Sequence, residues 1–128
     1  MAHWEMEVDE AKQRAYLTLA GELEAEQHAE AADACERVAE RLDEGFDLVN
    51  DMRTLKPAGE AAMRETERGK RALAKGGMAA AVRVTSESTT GQMRFDRAGE
   101  GAEAYAVAKA ESVEQAEKLL DERRQASQ

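Results

Sequence analysis

Cysteine occurs once in the chain, at Cys35. No disulfide can form within it, which excludes the stapled secreted folds and leads us to expect a reducing cytoplasm. Proline also occurs once, at Pro57, so helices can run unbroken on either side of it. Aromatic residues make up 4% of the chain, and Leu, Val, Met and Ala must therefore fill most of the core. No apolar run approaches the roughly 20 residues of a membrane-spanning helix, so stable membrane insertion is not expected. The opening Met1-Ala2-His3-Trp4-Glu5-Met6-Glu7 has no basic segment followed by an apolar one, and no secretory signal is expected.

Acids, by contrast, abound: 27 against 18 bases, for a net charge of −9 over 128 residues. Their spread is uneven. Residues 1–51 carry 15 acids and 4 bases, residues 52–97 carry 5 acids and 10 bases, and residues 98–128 carry 7 acids and 4 bases. A surface this acidic argues against a nucleic-acid partner, because phosphate neutralisation needs dense Lys and Arg. The basic middle can meet an acidic partner face, or it can be a set of solvated helix faces.

The length fits one domain, expected over residues 1–124, with residues 125–128 as a frayed tail. Trp4 to Val8 alternates apolar and acidic residues, the period of a half-buried strand. Ala15 to Ala20 forms a second strand ending at Gly21, and the two suggest an antiparallel hairpin. Strong helix formers fill Glu24 to Glu44, with Ala31, Cys35, Val38, Ala39 and Leu42 on one face and Gly45 as the C-cap. Phe46 to Asn50 is the third strand. Pro57 suits the first turn of a helix over Ala58 to Lys75, whose inner face holds Met63, Thr66, Lys70 and Leu73. Met78 to Thr85 is a fourth strand, apolar enough to be buried on both faces. A short helix within Gln92 to Arg97 is expected, then a fifth strand over Tyr105 to Lys109. Ser112-Val113-Glu114-Gln115 reads as a capping box that opens a last helix to Arg124. The expected fold is α/β: a mixed four- to five-stranded sheet with an N-terminal hairpin and about four helices, in the order β-β-α-β-α-β-(α)-β-α.

That order, with the stretches GFDLVNDMRTLKPAGEAAM, GGMAAAVRV, TTGQMRFDR and YAVAKAESVEQAEKLLDE, resembles the STAS domain, the fold of anti-sigma-factor antagonists. It is more specifically similar to uncharacterised bacterial STAS/Sec14-like proteins. The resemblance implies a regulatory module that binds a protein partner through the loop after the third strand and the helix that follows. Phospho-switched members carry a Ser or Thr at the start of that helix. Here Pro57 to Ala62 has no hydroxyl, and Thr54 lies too early, so no phosphorylation is expected at the family position. Asp51 matches the acid that ends the family's third strand.

Asp51, Arg53, Thr54 and Lys56 lie between a strand's C-terminal end and a helix N-terminus, where α/β sheets bind ligands and anions. They can form a partner-contacting edge or a small anion site, or Asp51 can cap the loop with Arg53 paired to it. The Gly spacing and Lys-Ser/Thr ending of a P-loop are absent. Arg83, expected near the sheet's edge or end, and Arg94 can join the same rim, or pair structurally with Asp51 or Asp96. His28, on an acidic helix, reads as a surface histidine, and two histidines with one cysteine make no metal cluster. Cys35 reads as a buried, inert thiol. Met52, Met63, Met78 and Met93 read as core filling, or as the lining of a pocket for an amphipathic, lipid-like ligand. No nucleophile–base pair or cofactor loop stands out, so a non-enzymatic role without cofactor is expected. The partner is then an unidentified protein or a small anionic or lipid-like ligand, and a homodimer stays open.

Overall fold

The computed structural model describes residues 2–86 and 105–126. Strands β1 (His3–Asp9) and β2 (Arg14–Ala20) are followed by helix α1 (Ala25–Arg41), β3 (Asp47–Asp51), α2 (Glu60–Lys75), β4 (Ala80–Val84), β5 (Ala106–Ala110) and α3 (Val113–Ala126). The five strands form one sheet in the order β1-β2-β3-β4-β5. β1 and β2 are antiparallel, and the other neighbours are parallel. The architecture is therefore α/β with a mixed sheet and, among the described residues, three helices. The short helix expected within Gln92 to Arg97 lies outside the described residues.

Local chemistry sets each boundary. Between β1 and β2 the Lys12 amide donates to Asp9 Oδ1 at 3.1 Å, and Gln13 takes a left-handed φ of 53° to close the turn. α1 opens where the Glu24 amide donates to the Gln27 side chain at 3.0 Å. It closes earlier than expected, because Leu42 leaves the helix in an extended conformation and buries its side chain. Gly45 then turns the chain into β3 with a φ of 97°, and its amide donates to Gly77 O at 2.7 Å. α2 starts at Glu60, two residues later than expected, so Pro57 precedes the helix rather than forming its first turn. At α3, Ser112 Oγ accepts from the Gln115 amide while the Gln115 side chain accepts from the Glu111 amide. The helix continues to Ala126, past the expected end at Arg124.

Strand alternation divides the core into two layers. Ala15, Leu17, Leu19, Leu48 and Ala81 face α1 and α2, where they meet Val38, Leu42, Phe46 and Leu73. Val49, Ala80, Val82, Val84 and the alanines of β5 face α3, against Ala116 and Leu120. Strand order runs without reversal, so both crossovers α1 and α2 lie on the same face, as same-handed parallel connections require. Gly76, at the C-cap of α2, lets these two helices approach: a Cβ there would lie 2.6 Å from Ala39 Cβ.

The charge asymmetry is answered in part inside the molecule. Arg68 of the basic α2 reaches the acidic α1, pairing with Asp33 at 2.9 Å and with Glu36, and donating to the Ala29 carbonyl at 3.1 Å. Met63, expected on the inner face of α2, is instead 61% exposed. The buried stripe is Ala62, Gly69 and Leu73, and Met63 sits about 100° around the helix from Ala62.

Candidate functional site

The loop after β3 is strapped to the sheet through its backbone. The Met52 amide donates to Val84 O at 3.0 Å. The Gly21 amide donates to Thr54 O, and the Lys56 amide returns a bond to Gly21 O, each at 3.0 Å. Leu55 thereby forms a parallel bridge with Gly21. On this strap Arg53 makes a forked contact with Asp51, Nε to Oδ1 at 3.0 Å and Nη2 to Oδ2 at 2.8 Å. Those bonds hold the Asp51 carboxyl below its ordinary pKa and raise that of Arg53. The side chains of Thr54 and Lys56 are exposed.

Arg83 lies elsewhere. β4 is an interior strand, so Arg83 sits near a strand end but not at the sheet's edge. Its cross-strand neighbours are Asn50 on β3 and Lys109 on β5. Asp51 and Arg83 occupy positions of opposite parity in the β3–β4 register, so strand alternation sets them on opposite faces. The rim expected from Asp51, Arg53 and Arg83 together is thus divided by the sheet. Arg94 lies outside the described residues.

On the helical side, Arg83 lines a cavity of about 60 Å³ between the sheet, α1 and α2. Its floor is apolar, with Leu17, Leu48 and Leu73 among the lining residues, and its polar wall carries His28, Asn50, Thr66, Lys70 and Arg83. His28 was expected at the surface, yet it is only 4% exposed. α1 packs against α2 along the stripe Ala31, Cys35 and Val38, and His28 falls on that stripe one turn earlier. Burial lowers the His28 pKa, favouring the neutral ring. Two buried polar atoms on this wall, His28 Nε2 and Asn50 Oδ1, have no hydrogen-bond partner among the described residues. Such orphans are few in native proteins, and each calls for an explanation. Cys35 also borders the cavity, and burial pushes its thiol up to about 11.

A second polar cluster, legible in no local motif, occupies the α3 side at the start of β2 and β3. Arg14 is buried, with Glu117 at 2.8 Å, Asp121 at 3.1 Å and Asp47 at 3.3 Å. Arg124 Nε reaches the same Asp47 oxygen at 2.8 Å. Burial works against the Arg14 charge, but the bonds to Glu117 and Asp121 outweigh it and hold the guanidinium protonated. Tyr16 donates its hydroxyl to Glu117, and burial together with that bond raises its pKa to about 12. Ion pairs from Glu117, Asp121 and Arg124 pin α3 to the sheet here, while Arg14 Nε is buried without a hydrogen-bond partner among the described residues.

Among the described residues no group of three or more His, Cys, Asp or Glu could hold a metal ion, and no helix is long and apolar enough to cross a membrane. The chain matches no model of a known protein family, and no curated protein or solved structure shows significant similarity to it.

Proposed function

We propose that the chain is a non-catalytic binding module of STAS-like build that takes a small anionic ligand between its paired helices and the sheet. The observation that carries the reading is the convergence, on one wall, of Arg83 and Lys70 with the unpartnered His28 Nε2 and Asn50 Oδ1. An apolar pocket with a few convergent polar groups is the usual form of a ligand site. Lys109, beside Arg83 in the β4–β5 register, adds positive potential to the same sheet face. Among the described residues the wall carries one acid, Glu65, which Arg68 engages at 3.1 Å, and Lys70 reaches Glu67 at 3.7 Å. The cavity is far smaller than the ~300–1,000 Å³ of pockets for drug-sized ligands, which favours a compact anion over the lipid-like ligand. The hairpin-first element order supports the STAS-like build.

Titration with inorganic phosphate and acetate, followed by amide NMR, tests the proposal. Saturable shifts centred on His28, Asn50 and Arg83, lost in Arg83→Gln, are expected. Shifts that survive the substitution, or that centre elsewhere, reject it.

A second reading has its own observation. Met63, largely exposed, lies in the first turn of α2, the helix that the loop of Asp51, Arg53, Thr54 and Lys56 leads into. A rigid loop with an apolar anchor at its end suits a protein contact, the role that the resemblance implies. Affinity capture with the wild type and with Asp51→Ala, Arg53→Ala, Lys56→Ala combined tests this edge. A protein lost from the folded variant supports the edge, and one retained by both rejects it.

A further inference from the structure

We propose that the open edge of β1 docks an extended segment of another protein in which basic and apolar residues alternate. This edge is separate from the cavity and from the loop after β3. It combines an unpaired backbone, an unfilled apolar groove and two carboxylates that the described residues leave unanswered.

β1 ends the sheet, and β2 is its one neighbour among the described residues. Alternate residues of such a strand turn their N–H and C=O groups outward, a ready template for a further strand. On the helical face Trp4, Met6 and Val8 pack on the core but stay only half-buried. With Ala34, Arg37 and Val38 of α1 they line an open groove of about 440 Å³ between β1 and the helix. The Trp4 ring is already fixed there, its Nε1 donating to Glu30 at 3.1 Å. An added strand completes both features at once. Its backbone pairs with β1, and every second side chain enters the groove.

The opposite face of β1 sets the chemistry of the occupant. Glu5 and Glu7 are exposed there, and no ion pair or hydrogen bond engages either side chain among the described residues. Their cross-strand neighbours on β2 are Thr18 and Tyr16, which bring no positive charge. The positions left to answer them lie directly opposite, on the incoming strand, where opposite charges attract and like charges repel. On the groove side the preference reverses. Arg37 is exposed and without an ion pair among the described residues, so a Lys or Arg entering the groove meets like charge. Arg41 borders the same groove, though Glu10 engages it at 2.5 Å. Alternation then leaves one pattern: basic residues toward Glu5 and Glu7, apolar residues toward Trp4, Met6 and Val8. A second copy of this chain does not supply it. Full antiparallel overlap of two β1 strands sets Glu5 of each copy opposite Glu7 of the other.

Three peptides, N-acetylated and C-amidated, are the probes: KVKVKVK, its rearrangement KKKVVVK, and the acidic EVEVEVE. Each is titrated into the full chain at neutral pH and low ionic strength, and amide NMR and hydrogen exchange are followed. KVKVKVK is expected to shift the amides of β1 saturably and to slow their exchange. KKKVVVK, of equal charge but without the alternation, should bind at least about tenfold more weakly, and EVEVEVE weaker still. Glu5→Lys combined with Glu7→Lys, both at exposed positions, should invert the preference, so that EVEVEVE binds and KVKVKVK does not. Equal binding of KVKVKVK and KKKVVVK overturns the proposal, because it reports attraction to an acidic surface and nothing more. Shifts centred away from β1, a charge-reversed variant that still prefers KVKVKVK, or no binding at millimolar peptide overturn it as well. Protection of the β1 amides that rises with protein concentration, without peptide, makes the second copy the occupant and also rejects it.

Discussion

Arg14 Nη2 lies 3.3 Å from Asp47 Oδ2, and each residue is only 1% exposed. The two are direct partners in the parallel β2–β3 register, so the sheet itself brings the charges together. Arg124 from α3 shares the same carboxylate oxygen, which makes Asp47 the acid common to two guanidinium groups. A buried charge left wholly without a partner costs about 3–5 kcal/mol. Arg14 keeps Glu117 and Asp121 when Asp47 is removed, so the loss here is that of a buried charged hydrogen bond, about 1–3 kcal/mol. Asp47→Ala is expected to destabilise the fold by that amount in urea unfolding at pH 7. Asp121→Ala removes an exposed partner of the same Arg14 and should cost under ~1 kcal/mol. Similar losses from the two substitutions would show that burial is not what matters here.

The buried histidine gives stability a pH dependence of definite sign. Desolvation lowers the His28 pKa below its ordinary 6.5. As the medium is acidified, the unfolded chain takes up this proton before the folded chain does. The stabilisation is therefore complete above about pH 6.5 and is lost as the pH falls through the folded-state value. Glu117 acts in the same direction at lower pH: burial opposes its ionisation, but bonds from Tyr16, Arg14 and Lys12 prevail and hold it below 4.5. Unfolding midpoints between pH 7.5 and 5 should fall for the wild type and stay flatter for His28→Gln. Parallel curves would mean that His28 is not the group that titrates.

Much of this fold could be read from pattern alone. A sheet of four to five strands was expected and five strands are described, because period-two alternation in β1 and continuous apolar character in β4 are strong signals. The site was less legible, and the reasons are specific. His28 has Glu26 and Gln27 before it, which read as a solvated face. Yet the spacing 28, 31, 35, 38, 42 places it on the same stripe as Ala31, Cys35, Val38 and Leu42, and that signal was present. Met63 was expected inward on apolarity, whereas the short residues Ala62 and Gly69 mark the true seam, where two helices come close. Arg14 and Asp47 are one charged residue at the start of each of two strands, and only the register pairs them. No local pattern carries that information. Arg83 and Asp51 looked like one rim because both end apolar strands, but they sit on opposite faces.

Cys35 lines the cavity yet should be a poor nucleophile. Its thiol is raised by burial from 9.0 to about 11, which leaves about 100-fold less thiolate at pH 8 than an unperturbed thiol would have. Maleimide labelling of the native protein at pH 8 should be slower than that of the urea-unfolded chain by at least this factor. A native rate within tenfold of the unfolded one would mean that the α1–α2 seam opens often enough to admit the reagent.

Gly69 of α2 and Gly76 at its C-cap test how closely that seam is packed. Gly69 is mid-helix, and a Cβ there would meet Cys35 Sγ at 3.4 Å, which is ordinary contact at the end of a short side chain. Replacing a helical glycine by alanine stabilises by up to about 1 kcal/mol through backbone entropy, so Gly69→Ala should be neutral to stabilising. Gly76 ends the helix with a φ of −75°, which alanine adopts without strain. A Cβ there, however, would lie 2.6 Å from Ala39 Cβ and 3.0 Å from the Ala39 backbone. Relief requires α1 to move as a unit, because the obstacle is main chain. Overpacking of this kind costs roughly 1–3 kcal/mol. Urea unfolding of the two variants should therefore move in opposite directions, or stay level for Gly69→Ala and fall for Gly76→Ala. A Gly76→Ala variant as stable as the wild type would show that the helix ends are not held against each other, and that the cavity between these helices is free to widen.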